Sequence, residues 1–363
     1  MTLIFRYILR EFFKIFGMCL AGLMTVYLVV DFFEKLRKFI RYDADLAVVL
    51  SYFVLRIPAI ALQIAPLATL MATLLTLGVL SRNNEITAMR SCGISLYRIA
   101  MPFVVFSTIV ALLLFGLTAA LIPLATAQAE YVKTALIEKK PIPASLRTDR
   151  SWLQLGNRQI MNIDAVDPDG TTLRGILLYR LEPPFRLAEI TQAKVARHTA
   201  DGWFLKDGVH RVLQPDGRLT LNIFDSQRLE MSQTPEDFNA WVSAESEEMT
   251  LRKIQSHVNR LREDGYSFSR LLTDYYGRVA FPFVNVVMAL VGIALSLRQS
   301  GVRGSGMALG IGLALIVGFM YWTTHSVAIA LGRSEVLTPM LAGWMANLVF
   351  LSFGSYLLLK VRQ

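Results

Sequence analysis

The chain has 363 residues, 54% of them hydrophobic and 18% charged. Soluble domains carry roughly 25% charged residues, so this composition argues against a pair of ordinary soluble domains and for a membrane protein. The formal net charge of +9 flanks apolar runs instead of forming a basic domain. That pattern argues against nucleic acid as a partner and for a membrane surface or an anionic lipid.

At the N-terminus Arg6, Arg10 and Lys14 recur every four residues on one face, with Phe5, Ile8, Phe12 and Ile15 on the other. This predicts an interfacial helix leading into a first span over Ile15–Val30, extended by Phe32 and Phe33. No A-x-A cleavage site follows, so the segment reads as a retained anchor and not a signal peptide. Beyond it Lys35, Arg37, Lys38 and Arg41 stand against Glu34 alone. They read either as snorkelling anchors at a helix end or as a cationic rim for an anionic lipid head group. The second span, Ile57–Leu80, carries Pro58 and Pro66, which should kink it and free carbonyls.

Residues 82–95 predict a short helix from about Asn84, stopped by Gly93. Glu85 lies in its first turn, where the helix dipole favours an acid. Ile86, Met89 and Arg90 follow at spacings that can share one side. Such a helix is ordinary packing, or it is the element that inserts into a separate ATPase. The third span lies within the charge-free run Ile99–Ala129. The fourth, fifth and sixth lie in Val279–Leu297, Gly304–Leu331 and Val336–Leu359, each free of charge and long enough for the roughly 20 residues a crossing needs. Gly306, Gly310, Ala314 and Gly318 repeat every four residues in the fifth span, a stripe that lets helices approach closely. Close packing against a neighbouring helix is expected there. His325 in the same span is a polar group at membrane depth, and such groups tend to face a cavity or a partner.

Residues 140–250 differ from the rest. They hold 13 Lys/Arg and 16 Asp/Glu, against 24 and 12 elsewhere. Short runs at Ile160–Ile163, Leu173–Leu181 and Leu219–Phe224 alternate with turn signals at Gly156-Asn157, Asp167–Gly170, Pro183-Pro184, Asp201-Gly202, Asp207-Gly208 and Pro215–Gly217. This predicts an all-β sandwich or jelly roll. An amphipathic helix follows, with Leu251, Ile254, Val258 and Leu261 in phase and Gly265 as its stop.

Short loops orient a membrane protein through their Lys/Arg bias. Arg82, Arg90, Arg98, Arg298, Arg303, Lys360 and Arg362 all fall on the N-terminal side of six spans. Both termini are therefore expected in the cytoplasm and the β-rich insertion outside. No G-x-x-x-x-G-K-[ST] loop, H-E-x-x-H motif or G-x-S-x-G elbow occurs, so no nucleotide site, metal, cofactor or catalytic group is expected in this chain. Cys19 and Cys92 imply neither a disulfide nor a thiolate site.

Several motifs in this order resemble the permease subunits of the lipopolysaccharide exporter, the paired F and G subunits of an ABC transporter. They are Arg6-Tyr7-Ile8 before an apolar span, Glu85–Gly93, Arg278-Val-Ala-Phe-Pro282 and Trp344-Met-Ala-Asn347. The layout of three spans, a domain and three spans covers the whole chain. Ser151-Trp152, Gly175–Tyr179 and Gly202–Leu205 look more like the G subunit. The opening residues and Glu85–Gly93 lean towards F.

The resemblance implies a helical polytopic membrane protein with an inserted, jelly-roll-like periplasmic β-domain. Its parts are residues 1–139 with spans one to three, 140–250 with the β-domain, and 251–363 with a connecting helix and spans four to six. It implies a multi-pass inner-membrane permease in a Gram-negative bacterium, paired with a second homologous permease. A cytoplasmic ATPase dimer hydrolyses the ATP, so the chain itself is not an enzyme, and a single-span periplasmic protein receives the lipid. Lipopolysaccharide enters a V-shaped cavity from the outer leaflet. Arg37 and Lys38 alone match a basic pair at the outer end of the G subunit's first helix; Lys35 and Arg41 join them by their place in the charged row, and Arg278 by its place at the outer entrance of the fourth span. The close helix neighbour of the fifth-span stripe is then expected in the partner subunit, at a lateral gate. Asp31 departs from the family, which has another basic residue near there. Glu85, Ile86, Met89, Arg90 and Gly93 match the element that meets the ATPase.

Three other readings compete. Permeases of the lipoprotein-releasing or macrolide type usually have four spans with the large domain after the first. A lipid-modifying enzyme needs convergent His, Asp, Glu or Ser residues at one membrane depth, and none is seen. A membrane adaptor that transports nothing would show no ATP-dependent lipid movement.

Overall fold

The computed structural model describes residues 2–138, 151–155, 159–166, 171–182, 186–199, 202–213, 218–229, 231, 234–235, 249–263, 268–299 and 307–360. The chain divides into two compact units. One is Met1–Lys139 with Leu272–Gln363, and the other is Lys140–Leu271.

The first unit is helical. Helix α1 runs Thr2–Arg41, α2 Leu46–Arg82, α3 Glu85–Ser91, α4 Leu96–Ala119 and α5 Leu121–Tyr131, followed by a π-helical turn Val132–Ile137. After the insertion come α7 Ser269–Ala280, a 3₁₀ turn Phe281–Phe283, α8 Val284–Gln299, α9 Met307–Arg333 and α10 Pro339–Leu359. Six of the described helical segments are long and apolar enough to cross a membrane.

Three features differ from the sequence pattern. The interfacial helix and first span form one unbroken helix of 40 residues. Its basic tail, Lys35–Arg41, is helix and not loop, because Phe39 stays in phase and is buried against Val49 and Tyr52. The long apolar run after Arg98 breaks at Ala120, whose φ of −127° and ψ of −58° end α4.

Glycine sets the tightest helix contacts. A methyl group added at Gly343 on α10 would lie 2.7 Å from the Tyr276 carbonyl carbon and 2.9 Å from the Gly277 nitrogen of α7. One added at Gly292 on α8 would lie 2.9 Å from Thr73 Cβ on α2. The expected fifth-span stripe packs differently from its prediction. Ala314 is fully buried among α2 and α8 residues, and a methyl at Gly318 would come within 2.8 Å of Leu67 Cδ1. At Gly310 the nearest atom, Leu74 Cβ, is 3.8 Å away. The neighbour is thus α2 of the same chain, because the stripe's small residues meet the bulky apolar Leu67, Leu70 and Leu74. Gly306 lies outside the described residues.

The second unit holds six strands: β1 Ser151–Leu155, β2 Gln159–Val166, β3 Thr172–Glu182, β4 Arg186–Thr199, β5 Gly202–Leu213 and β6 Leu219–Leu229. They form one antiparallel sheet in sequence order. The insertion is all-β as expected, and among the described strands its topology is a meander, because each short connection pairs a strand with the next. Helix α6, Leu251–Glu263, follows with Ile254 and Val258 buried. The Leu261 side chain and Gly265 lie outside the described residues.

The sheet is creased. Every ladder from β2 to β6 skips one row: Asp164, Gly175, Lys194, Asp207 and Asp225. Gly175 has φ +63° and Asp207 φ +52°. Buried positions on either side are three residues apart, as at Leu173 and Ile176, or Ala193 and Ala196. Each strand changes face at the same row, so register survives the bend. Asp207-Gly208 therefore sits inside β5 and is not a turn. A methyl at Gly208 would overlap the Phe224 ring, which covers this bare backbone.

Because the atoms facing Gly343 are backbone, Gly343→Ala should cost about 1–3 kcal/mol and lower the thermal unfolding midpoint in detergent. Gly22→Ala, with nothing within 4 Å, should leave it unchanged or raise it.

Candidate functional site

Consecutive crossings place two groups of residues at opposite ends of the helical unit. The end that carries the N-terminus also carries α3. Asn84 enters α3 with φ +58°, and Gly93 leaves it with φ +80°. Gly93 N–H donates to Arg90 O at 2.9 Å and Ile94 N–H to Met89 O at 3.0 Å. This is the paired capping that a left-handed glycine permits. Ile86 is buried and Met89 packs beside it, in a cluster with Ile8, Phe12, Leu80, Ile99 and Phe103. Phe12 meets Phe103 and Phe106 at ring separations of 4.8 and 5.0 Å. The Glu85 carboxylate accepts from Asn83 Nδ2 at 3.2 Å and interacts with the Tyr7 hydroxyl.

This arrangement corrects two expectations. Arg90 does not share a side with Ile86 and Met89, because it is exposed while they face the bundle. The apolar face of the N-terminal segment is taken up by the bundle, in a cluster with residues of α2, α3, α4 and α8, and Ile8 and Phe12 are fully buried. Tyr7, Ile8 and Phe12 had carried no coupling role in the sequence. Their phase with Ile86 exists only once α1 and α3 are packed together.

At the opposite end α1, α2 and α5 meet over Phe39, Val49, Tyr52, Ala129, Val132 and Ile137. Arg37, Lys38 and Arg41 are exposed there and make no ion pair with a described residue. Lys35 is different: its Nζ donates to Asp31 Oδ1 at 2.5 Å. Arg56 on α2, which no sequence motif singles out, lies 3.6 Å from Asp31 Oδ2. Arg278 is part-buried in the last turn of α7. One turn earlier Asp274 accepts from Arg333 Nε at 2.8 Å, tying α7 to the end of α9.

Between the two ends, two of the family-like motifs come together. Pro282 interrupts the fourth crossing and cannot donate a backbone hydrogen bond. Asn285 Nδ2 donates to Pro282 O at 2.8 Å, and Asn347 Nδ2 donates to Ala280 O at 2.8 Å. Asn347 Oδ1 accepts from Tyr321 Oη at 2.8 Å. His325 stacks on Tyr321 with centroids 6.0 Å apart, and its Nδ1 has no hydrogen-bond partner among the described residues. Among those residues, no group of three or more His, Cys, Asp and Glu could hold a metal ion.

Residues 6–360 match the family model for the lipopolysaccharide export system permease LptF/LptG. The chain belongs to the LptF/LptG family. It is 25% identical over 338 residues to LptG of Haemophilus influenzae, covering 89% of each chain. It is 22% identical over 359 residues to LptG of Escherichia coli K12, covering 98% of this chain and 97% of that one. LptF of Escherichia coli K12 is 35% identical over 116 residues, 30% of this chain and 31% of its own length. The near-full-length similarity to these LptG proteins agrees with the motifs of the β-domain. The chain is thus a multi-pass inner-membrane permease subunit of the lipopolysaccharide export ABC transporter.

The exposure pattern of α3 separates its residues experimentally. Ile86→Ala should destabilise the helical unit by about 2–5 kcal/mol, while Arg90→Ala should stay within about 0.5 kcal/mol. Thermal unfolding of the detergent-solubilised protein distinguishes them.

Proposed function

We propose that this permease pairs with a second, homologous permease and takes lipopolysaccharide from the outer leaflet of the inner membrane. A cytoplasmic ATPase dimer drives the cycle, and a single-span periplasmic transfer protein receives the lipid. The observation that carries this reading is the division of α1. One end packs on α3, and the other ends in exposed Arg37, Lys38 and Arg41 beside a charged cluster.

In this reading both termini are cytoplasmic, consistent with the basic loops at that end, and residues 140–250 are periplasmic. Exposed Thr87, Ala88, Arg90 and Ser91 face the ATPase groove, while Ile86 and Met89 pass displacement to α1. Glu85 and the Gly93 stop fix the pitch of α3. Arg37 and Lys38 hold head-group phosphates, Arg through paired donors that Lys lacks, with Arg41 and Arg278 as flanking cations. Gly310, Ala314 and Gly318 keep α9 close to α2 while the cavity closes, and His325 lines the same helix.

Orientation is tested by labelling. Asp225→Cys, in a β6 position that is exposed, should react with an impermeant maleimide in cells with only the outer membrane opened. Native Cys92, exposed beside α3, should react only after the inner membrane is breached. The reverse order overturns the topology.

The lipid role is tested by Arg37→Glu with Lys38→Glu. Lipopolysaccharide photocrosslinking from this end and export should both fall roughly tenfold or more, with assembly intact. Normal crosslinking and export would make these residues snorkelling anchors.

A further inference from the structure

Asp31 is 7% exposed, just past the apolar run of α1. It sits between two cations. Lys35 Nζ lies 2.5 Å from Oδ1 and Arg56 Nη1 lies 3.6 Å from Oδ2. The second oxygen has no hydrogen-bond partner among the described residues. Two positive groups thus share one carboxylate, and the trio is one negative charge short. The two cations are partly exposed, so this net positive charge attracts an anion from the membrane boundary.

The cations are also held independently of Asp31. Arg56 Nη1 donates to Tyr52 Oη at 3.0 Å. The Lys35 ammonium and the Arg56 guanidinium both lie over the Tyr52 ring, at 5.3 and 5.7 Å from its centroid. Such contacts hold a cation over an aromatic face. Access is asymmetric: the Lys35 and Arg56 side chains are 20% and 31% exposed, the carboxylate 9%. An anion can reach the cations without displacing the ring that positions them. Arg37, Lys38 and Arg41 have no such resident acid and are open at all times.

We propose that Asp31 is the resident counter-ion of a phosphate subsite formed by Lys35 and Arg56. It offsets one of the two positive charges when no phosphate is bound, and yields the pair when a phosphorylated lipid head group enters. This rests on the reading that lipid enters at the α1–α2 end. Asp31 is a positioning residue here, and its consequence is release. Without it, departure of the phosphate leaves two uncompensated cations at the membrane boundary, so the lipid stays.

The test uses the full complex, with partner permease and ATPase, in nanodiscs containing lipopolysaccharide. Asp31→Asn should raise lipid retained before ATP roughly tenfold and slow ATP-driven release by a similar factor. Arg56→Gln should lower retention. Asp31→Asn with Lys35→Gln restores the original net charge and should return retention towards the parent value, which a scaffold role for Asp31 does not predict. Parent-like retention and release in Asp31→Asn overturns the proposal. So does reduced retention in an assembled Asp31→Asn complex. If Asp31→Asn fails to assemble, the double variant and Arg56→Gln decide it, and a double variant that retains no more lipid than Arg56→Gln overturns it. Millimolar inorganic phosphate should not displace the lipid, and full displacement would make this a general anion site. Unchanged retention in Arg37→Glu with Lys38→Glu would instead defeat the underlying reading that head groups dock at this end.

Discussion

A helix of 40 residues is about 60 Å long, twice the roughly 30 Å hydrocarbon core it crosses. Helix α1 has that length without interruption, and the other functional geometry depends on it. Its first three turns place Ile8 and Phe12 in one apolar cluster with Ile86 of α3 and residues of α2 and α4, and its last three carry Asp31 through Arg41. From Ile8 to Arg37 the rise is about 44 Å. A continuous helix transmits tilt and translation as a rigid element, so the two ends need no chain of switching residues between them. Under the proposed function, a displacement at the α3 end is carried along this helix to the basic end.

The fourth crossing solves the opposite problem. Proline at position 282 breaks it within the apolar layer, where an unsatisfied backbone group costs several kcal/mol. Asn285 and Asn347 satisfy the carbonyls of Pro282 and Ala280. Asn347 in turn accepts from Tyr321, so one amide joins α7, α9 and α10. Gly343 and Gly332 hold the same three helices in contact nearby, with Thr273 Cγ2 2.7 Å from a methyl added at Gly332. The break is therefore rigid. The α1 side is built differently, from aromatic contacts and shared charges.

Helix number, the inserted β-domain, the position of α3 and the basic row were all legible in the sequence. Each rests on local signals: charge-free length, turn residues, a glycine stop and charge bias. What was not legible depends on packing. Arg56 reads as one charge before a span until α1 brings Asp31 beside it. The glycine stripe of the fifth span has the spacing of an interface, but spacing does not say which helix lies opposite. Asp207-Gly208 has turn chemistry and lies inside a strand. A positive φ in one strand looks like a turn unless its neighbours kink in the same row. Strand β4 was missed because Glu189, Gln192, Lys194 and Arg197 hide its apolar alternation, which itself shifts phase at the crease.

Charge placement along the last three turns of α1 separates two tasks that a single basic cluster would confuse. Exposed cations near a membrane surface attract anionic head groups from a distance, and salt screens them. They favour capture and do little to discriminate, because nothing opposes them. Lys35 is already committed to a carboxylate, and Arg56 is close to the same one. Any incoming anion must compete with Asp31, and its net gain is the difference between two pairings instead of the full Coulomb energy. A weak monoanion gains little from that exchange. A phosphate that spans both cations gains more, since it supplies the charge that Asp31 cannot supply to both at once. In the proposed cycle the same competition works in reverse: the carboxylate is still within reach of Lys35, so the outgoing phosphate leaves a neutralised lysine behind. In that proposal, capture by open cations and release by a resident acid lie roughly two helical turns apart on the same helix.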